Sequence, residues 1–252
     1  MKLSIVIPTY NQSEKTLKNL QESILPFFDK TGIAYSVLIE ADHSSEEEVK
    51  KLQEGLGHLP MQVKLDEVED KKGKGWAIKK GILHSEGDYV LFMDADLATD
   101  LSCFSLFQKD LGKYDAYVAS RDAKGSVYVR KQPFVRRLTH WGAKTIIRNK
   151  FRIKGVHDTQ CGFKMFQLPL AKEMAKHQLT SGNAFDVEDL YFLSLNGAKI
   201  QEYPAKWRDD PDSTAGNVMK TSLAFYKELN FIKKHKKTYL LSKEEKEGLG
   251  LC

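Results

Sequence analysis

The sequence predicts an α/β protein built on a mainly parallel sheet flanked by helices. Three observations carry that reading. Short apolar runs alternate with amphipathic stretches through the first half. Turn and capping residues separate them, and polar or acidic residues cluster just after the apolar runs. Strands alternating with helices of this length form βαβ units, whose ligands bind outside the carboxyl ends of the strands.

The elements follow in chain order. Ser4-Ile5-Val6-Ile7-Pro8 is a short buried strand that stops at proline. Between Ser13 and Phe28, apolar Leu17, Leu20, Ile24, Leu25 and Phe28 recur at helical spacing, with Ser13 placed to cap. Tyr35 to Ala41 reads as a second strand. Ser45 to Leu56 reads as a helix, acidic first and basic later, as the helix dipole prefers. Met61 to Val68 is a weaker strand, Trp76 to His84 a helix, and Asp88 to Met93 a fourth strand. Cys103 to Leu111 is helical and Ala116 to Ala119 a fifth strand. Beyond it the pattern is less regular: a basic stretch to Lys154, a polar loop from Asp158 to Lys164, a helix from Ala184 to Leu195, and a strand from Lys199 to Tyr203. A basic amphipathic tail closes the chain, and no internal repeat or low-complexity linker divides it.

Composition narrows the class. Of 252 residues, 41% are hydrophobic and 29% charged, as in an ordinary globular protein. No apolar run approaches the roughly 20 residues of a membrane-spanning helix, and the start lacks a signal-peptide pattern. The expectation is a cytoplasmic chain. Cys103, Cys161 and Cys252 are too few and too scattered for a disulfide framework or a zinc site. The net charge of +5 gathers in Arg130 to Lys154 and Lys220 to Lys237. Such clusters suit phosphates or an anionic membrane, or are simply solvated faces. No helix-turn-helix, zinc finger or RNA-binding signature appears, so nucleic acid is not expected as a partner.

Chemistry concentrates at strand ends. Asp94-Ala95-Asp96 terminates the fourth strand with two carboxylates, the hard oxygen ligands that Mg²⁺ or Mn²⁺ takes together with substrate phosphates. A lone D-x-D is as readily a turn or a helix cap. Lys72-Gly73-Lys74-Gly75 puts glycines and a cation at a helix N-terminus, which suits an anion, although the P-loop spacing is absent. Asp42 ends the second strand, where it can accept a base or ribose hydrogen bond or cap the next helix.

Together these motifs resemble family 2 glycosyltransferases of the GT-A fold, a Rossmann-like sheet that binds nucleotide-diphospho-sugars. Val6-Ile7-Pro8-Thr9-Tyr10-Asn11 is similar to their V-I-P-x-Y-N opening, Ala41-Asp42-His43-Ser44 to D-D-G-S, and Gly73-Lys74-Gly75 to G-K-G-x-A. Asp94-Ala95-Asp96 matches their D-x-D. Ser120-Arg121, Asp158-Thr159-Gln160-Cys161-Gly162-Phe163-Lys164 and Ala184-Phe185-Asp186-Val187-Glu188 resemble dolichyl-phosphate β-glucosyltransferases and bacterial polyprenyl-phosphate relatives. The likeness runs over roughly residues 3 to 213. It implies a GT-A domain over residues 1–216, with a nucleotide-sugar half (1–122) and an acceptor half (123–216), followed by the tail 217–252.

The resemblance also implies roles. Pro8, Thr9, Tyr10, Asn11 and Asp42 line the nucleoside pocket, with Asp42 on the base. Lys74 and Gly75 sit by the nucleotide, as does Ala95 between the two acids, and Arg121 contacts a phosphate. Asp94 meets ribose or metal, and Asp96 binds the Mg²⁺ or Mn²⁺. Asp158, Thr159, Gln160, Cys161, Gly162, Phe163 and Lys164 line the donor-sugar and acceptor pocket. Asp189 is the first choice of general base for a hydroxyl acceptor; for an ionised phosphate acceptor, Asp186 and Glu188 position acceptor or sugar instead. The chain departs from the pattern at Ala41 and His43, and Ala98 stands where mannosyltransferases carry a glutamine ligand.

The implied activity is inverting transfer of a hexose, glucose from UDP-glucose ahead of any GDP-sugar, to polyprenyl phosphate. Alternatives are a saccharide, glycolipid or protein hydroxyl with Asp189 as base, and an inactive nucleotide-sugar-binding module. A nucleotidyltransferase needs a Gly-rich loop where Pro8 to Asn11 stand. His157 and His177 are read as solvent-facing, Trp207 as packing on the sheet or stacking on sugar, and Cys161 as no nucleophile. Phe225, Tyr226, Leu229, Phe231 and Ile232 mix with six lysines or histidines from Lys227 to Lys237, a pattern for peripheral contact with the cytoplasmic membrane face or for a wet surface helix.

Overall fold

The computed structural model describes residues 1–42, 44–68, 73–130, 134–208 and 218–251. His43, Lys72, Cys252 and the boundary at 216/217 lie outside the described residues. The chain opens with β1 (Lys2–Thr9), α1 (Ser13–Asn19), a π-helical turn (Leu20–Ile24) and α2 (Leu25–Asp29), so the helix expected from Ser13 to Phe28 forms in three pieces. Ser13 is its first helical residue, and the Ser13 N–H donates to Glu48 at 2.8 Å. Then come β2 (Ala34–Asp42), α3 (Glu46–Leu56), β3 (Val63–Val68), α4 (Lys74–His84), β4 (Tyr89–Met93), α5 (Ser102–Lys109) and β5 (Ala116–Ser120).

The second half holds β6 (Val127–Arg130), α6 (Phe134–Phe151), β7 (Phe163–Gln167), α7 (Leu168–His177), α8 (Phe185–Leu195), β8 (Ile200–Pro204) and β9 (Lys206–Arg208). It ends with α9 (Val218–Lys234), a 3₁₀ turn (Lys236–Tyr239) and α10 (Lys243–Gly248). Seven strands form one sheet in the order β3-β2-β1-β4-β7-β5-β8, and β6 pairs with β9 beside it. All neighbours in the large sheet run parallel except β7, which is antiparallel to β4 and β5.

That strand corrects the polar loop expected from Asp158 to Lys164. The loop ends at Gly162, and Phe163 and Lys164 enter the sheet, pairing with Met93 and Phe92. Phe163, Met165 and Phe166 have almost no exposure, and burial of these rings and the thioether holds the strand in place.

Alternation along the strands sends side chains into two cores. Ile5, Ile7 and Leu91 pack with Leu20, Ile24, Phe28, Phe104 and Phe107 on the α1, α2 and α5 side. Val6, Val90 and Phe92 pack with Ile78, Phe185 and Met174 on the α4, α7 and α8 side. Leu229, Ile232, Tyr239 and Leu241 join this second core, so the C-terminal segment is folded onto the sheet layer. Among the described residues no helix is long and apolar enough to cross a membrane. Because β7 reverses, its start lies at the same edge as the ends of β1, β2, β4 and β5, which gathers the sequence motifs.

Candidate active site

The centre is the bend after β4. The Asp94 N–H donates to the Gly162 carbonyl at 3.1 Å, and the Ala98 N–H donates to Asp96 Oδ1 at 2.9 Å. Ala95 turns into the core, and its carbonyl accepts from Asn19 at 2.7 Å. Leu97 takes the left-handed conformation at φ 54°, a costly choice for a leucine that keeps the turn tight after the two acids. Burial, then the charge of Asp94, raises the Asp96 carboxyl above its usual range. A positive charge placed beside the pair would offset both causes.

Lys74, the first residue of α4, places Nζ 2.5 Å from Asp94 Oδ1. Burial alone would lower this lysine, but Asp94 and Asp186 raise it to about 12. It starts a helix whose first turn packs closely on the 181–182 backbone at Gly73 and Gly75. Gly73 has φ 105°, and a Cβ there would stand 2.6 Å from the Ser181 carbonyl. A Cβ on Gly75 would gain a fixed neighbour at 2.8 Å in the Gly182 carbonyl oxygen. Glycine is required at both positions by close backbone approach. Across the bend, a Cβ on Gly162 would collide with the Asp94 carboxylate. The loop before β7 therefore shapes the space around the metal-ligand candidates.

Lys164 and Asp186 form the next layer. Lys164, fully buried on β7, bonds the Asp186 carboxylate and the Cys161 carbonyl, the latter at 2.8 Å, and lies 4.9 Å from the Phe92 ring centroid. Burial raises the Asp186 carboxyl even though Lys164 and Lys74 pull it down. Asp42 accepts from the Gly73 N–H at 3.4 Å, which ties the end of β2 to the lysine loop. Asn11, at φ 49°, donates its N–H to Ser44 and accepts from the Ser45 N–H at 2.9 Å. Beside it Thr9 is buried against Thr16 at 2.9 Å, Pro8 is half-buried, and Tyr10 is exposed. Beside Asp96 opens a cleft of about 830 Å³ whose lining includes Lys15, Lys206 and Arg208, cations that no motif had singled out.

Other predicted residues stand apart from this cluster. Arg121 grips Asp158 at 2.7 and 2.8 Å, and its backbone N–H donates to the same carboxylate at 2.9 Å. Burial would raise the Asp158 carboxyl, but Arg121 holds it well below the usual range. The guanidinium also stacks on Trp207, so a buried strut joins β5, the loop before β7 and β9. Thr159 is buried and Gln160 half-buried, its N–H donating to Asp158 at 3.3 Å. Cys161 contacts Thr99 at 3.4 Å, and burial pushes its thiol up to about 11, the opposite of an activated nucleophile. His157 pairs with Glu202 at 2.9 Å.

Glu188 is occupied as a clamp. It accepts the Leu179 and Thr180 N–H groups at 2.7 and 2.9 Å, the Thr180 hydroxyl, and the Tyr239 hydroxyl at 2.7 Å. Asp189 is 1% exposed and neither carboxylate oxygen has a hydrogen-bond partner. Burial, then the charges of Glu188 and Asp186, raises it well above the ordinary carboxylate range. Glu228 of α9 accepts from the Gly182 and Ala184 N–H groups at 3.1 Å each, fixing the loop on which Gly73 and Gly75 lie. That contact spans 46 residues, and nothing local in the sequence announces it.

The sequence matches the family model described as "Glycosyl transferase family 2" over residues 4–174. It is 29% identical over 218 residues to a dolichyl-phosphate beta-glucosyltransferase of Dictyostelium discoideum, covering 82% of this chain and 66% of that protein. This chain thus spans just under two thirds of that relative's length. Among solved structures, glucosyl-3-phosphoglycerate synthase of Mycobacterium tuberculosis with phosphoglyceric acid superposes with a TM-score of 0.64 at 16% identity, over 92% of this chain and 80% of that one. A mannosyltransferase of Pyrobaculum calidifontis in complex with GDP-Man and Mn²⁺ gives 0.60 at 16% identity, over 92% and 63%. The family match spans well over half of the chain and the sheet agrees with these structures: the protein belongs to glycosyl transferase family 2 and has the GT-A fold.

Proposed function

We propose that the protein transfers a hexose, glucose from UDP-glucose, to polyprenyl phosphate with inversion at the anomeric carbon. The observation that carries this is the convergence of Asp94, Asp96 and Lys74 on the bend that Gly162 keeps open. Two carboxylates there are hard donors suited to Mg²⁺ or Mn²⁺, and the Lys74 ammonium already rests on Asp94 as a positive charge would. Asp96 and Asp94 would hold the cation, which supplies positive charge against the departing diphosphate.

The chain's own groups account for the rest. An acceptor phosphate oxygen forms the bond to the anomeric carbon as the bond to the diphosphate breaks, and the electron pair leaves with the nucleoside diphosphate. Lys74 and the cations of the neighbouring cleft, Lys15, Lys206 and Arg208, stabilise that developing charge. Lys164 and Asp186 border the sugar side. An ionised phosphate needs no general base, and the acid that would serve a hydroxyl acceptor, Asp189, is sealed from solvent. That burial favours the phosphate acceptor over the saccharide reading, and the intact acidic pair disfavours an inactive binding module.

A lipid acceptor requires access from a bilayer. Trp141 (68% exposed) and Ile146 on α6, with Leu223, Tyr226 and Phe231 on α9, stand out toward solvent. Lys150 bridges the two helices, bonding Asn230 and lying over the Tyr226 ring. Apolar insertion with a basic surround suits peripheral binding to an anionic cytoplasmic membrane face.

The test is release of nucleoside diphosphate from a panel of UDP- and GDP-sugars with Mg²⁺ or Mn²⁺, with and without short polyprenyl phosphate. The expected result is release that needs the lipid phosphate, is highest with UDP-glucose, and falls about 10²-fold or more in Asp96→Ala. Turnover on a glycan hydroxyl without lipid phosphate overturns the acceptor. Unchanged turnover and metal dependence in Asp96→Ala overturn the site.

A further inference from the structure

We propose a second divalent-cation site, separate from the acidic pair after β4, formed by Glu40, Asp66 and His84 and suited to Zn²⁺. Glu40 on β2 and Asp66 on β3 are direct cross-strand partners, so their side chains leave the sheet on the same face. Helix α4 covers that face closely: a Cβ on Gly81 would stand 3.1 Å from Glu40 Cγ. His84 sits at the end of the same helix, and one ligand atom from each of the three residues lies within 4.8 Å of the others.

Glu40 is the observation that singles out this cluster. It has 0% exposure, and neither carboxylate oxygen has a hydrogen-bond partner. A buried carboxylate without a partner either holds a proton or takes a cation, because leaving its charge bare costs several kcal/mol; unlike Asp189, Glu40 has a second carboxylate and an imidazole within reach. Asp66 and His84 face it with donor types that complete a mixed imidazole–carboxylate set, for which Zn²⁺ is a fitting ion. Asp66 uses Oδ1 for Lys80 at 2.7 Å and Oδ2 for His84 Nδ1 at 2.7 Å. A cation takes the place of the hydrogen in the second contact, while Lys80 stays on the first oxygen and balances part of the acidic charge. Around a tetrahedral ion, bonds of about 2.0–2.2 Å set ligand atoms roughly 3.3–3.6 Å apart, so the widest separation closes by about an ångström while the 2.7 Å contact between Asp66 and His84 opens to admit the ion. His84, half exposed, can make that movement and also leaves a path from solvent. The site would lock β2, β3 and α4 together at the strand that ends in Asp42.

The test is zinc titration of the full chain in saturating Mg²⁺, followed by calorimetry and thermal unfolding. One Zn²⁺ per chain is expected, with affinity weakened at least tenfold in His84→Ala and in Glu40→Gln but kept in Asp96→Ala. Zn²⁺ should raise the melting temperature of the unmodified chain and not that of His84→Ala, whose exposed position keeps folding intact. No zinc binding, binding in both site variants as tight as in the unmodified chain, or binding lost in Asp96→Ala alone overturns the proposal. An active enzyme without zinc binding would leave the glycosyl-transfer reading standing and sink this one.

Discussion

At Gly162 a single hydrogen atom decides whether Asp94 can hold its place. The backbone there is not in the left-handed region, so alanine is tolerated by the chain itself; the obstacle is the carboxylate its Cβ would meet. Gly162→Ala is therefore expected to displace Asp94 and lower kcat by about 10²-fold, as ångström-scale misplacement does, with the melting temperature nearly unchanged. Kinetics beside thermal unfolding check this, and a variant as active as the parent would show that Asp94 has room to move. Asp158 answers a different question, because its charge supports folding. Its folded carboxyl is depressed, so the unfolded chain binds more protons in acid. The stability it confers is complete at neutral pH and is lost as pH falls through about 4 and below. Asp158→Asn leaves Arg121 charged and unpaired at 8% exposure, and should cost about 3–5 kcal/mol in urea unfolding at pH 7. It should also flatten the acid limb of the stability profile.

Among elements, α8 shows how three acids within one turn take different work. Asp186 faces Lys164, Glu188 turns back to clamp 179–180, and Asp189 points into the packed interior. The sequence presents them as one acidic cluster; only the helix's rotation against β7 and the C-terminal segment separates them. Tyr239→Phe removes the hydroxyl that donates to Glu188, and the expected loss is about 1–3 kcal/mol of stability with kcat little altered. Denaturant unfolding paired with turnover measures both, and a large loss of kcat at unchanged stability would contradict the clamp. The strands β1, β4 and β5 were legible because each is an apolar run buried on both faces of a sheet. β7 was not, because Lys164 interrupts its apolar run with a charge whose partner, Asp186, lies 22 residues away. The helix α7 had a start signal in Pro169 and apolar Leu170, Ala171, Met174 and Ala175, masked by the lysines between them.

For the whole molecule, the two outward helices α6 and α9 carry the membrane reading. Binding to vesicles containing anionic lipid should weaken as salt rises from 0.1 to 0.5 M, since each interfacial lysine contributes about 1 kcal/mol that salt screens. Trp141→Ser should lower the bound fraction further at every salt concentration; flotation with neutral and anionic vesicles reads both effects. Equal binding to the two vesicle types would remove the charge contribution. The grouping of Asp94, Asp96, Lys74 and Gly75 was readable, since each lies next to a strand or helix end visible in the sequence. Glu228, Tyr239 and the cleft cations Lys15, Lys206 and Arg208 were not, because their placement depends on contacts across the folded chain.

The reversed direction of β7 has one more consequence. The other arms of the site are strand exits, each tied to the crossover that follows it. Residues 158–162 instead form an inlet, arriving from outside and leading straight into hydrogen-bonded register. Asp158 and Gly162 anchor the two ends of that inlet, on Arg121 and on Asp94, so a change between them alters the rim of the site without rerouting any helix over the sheet.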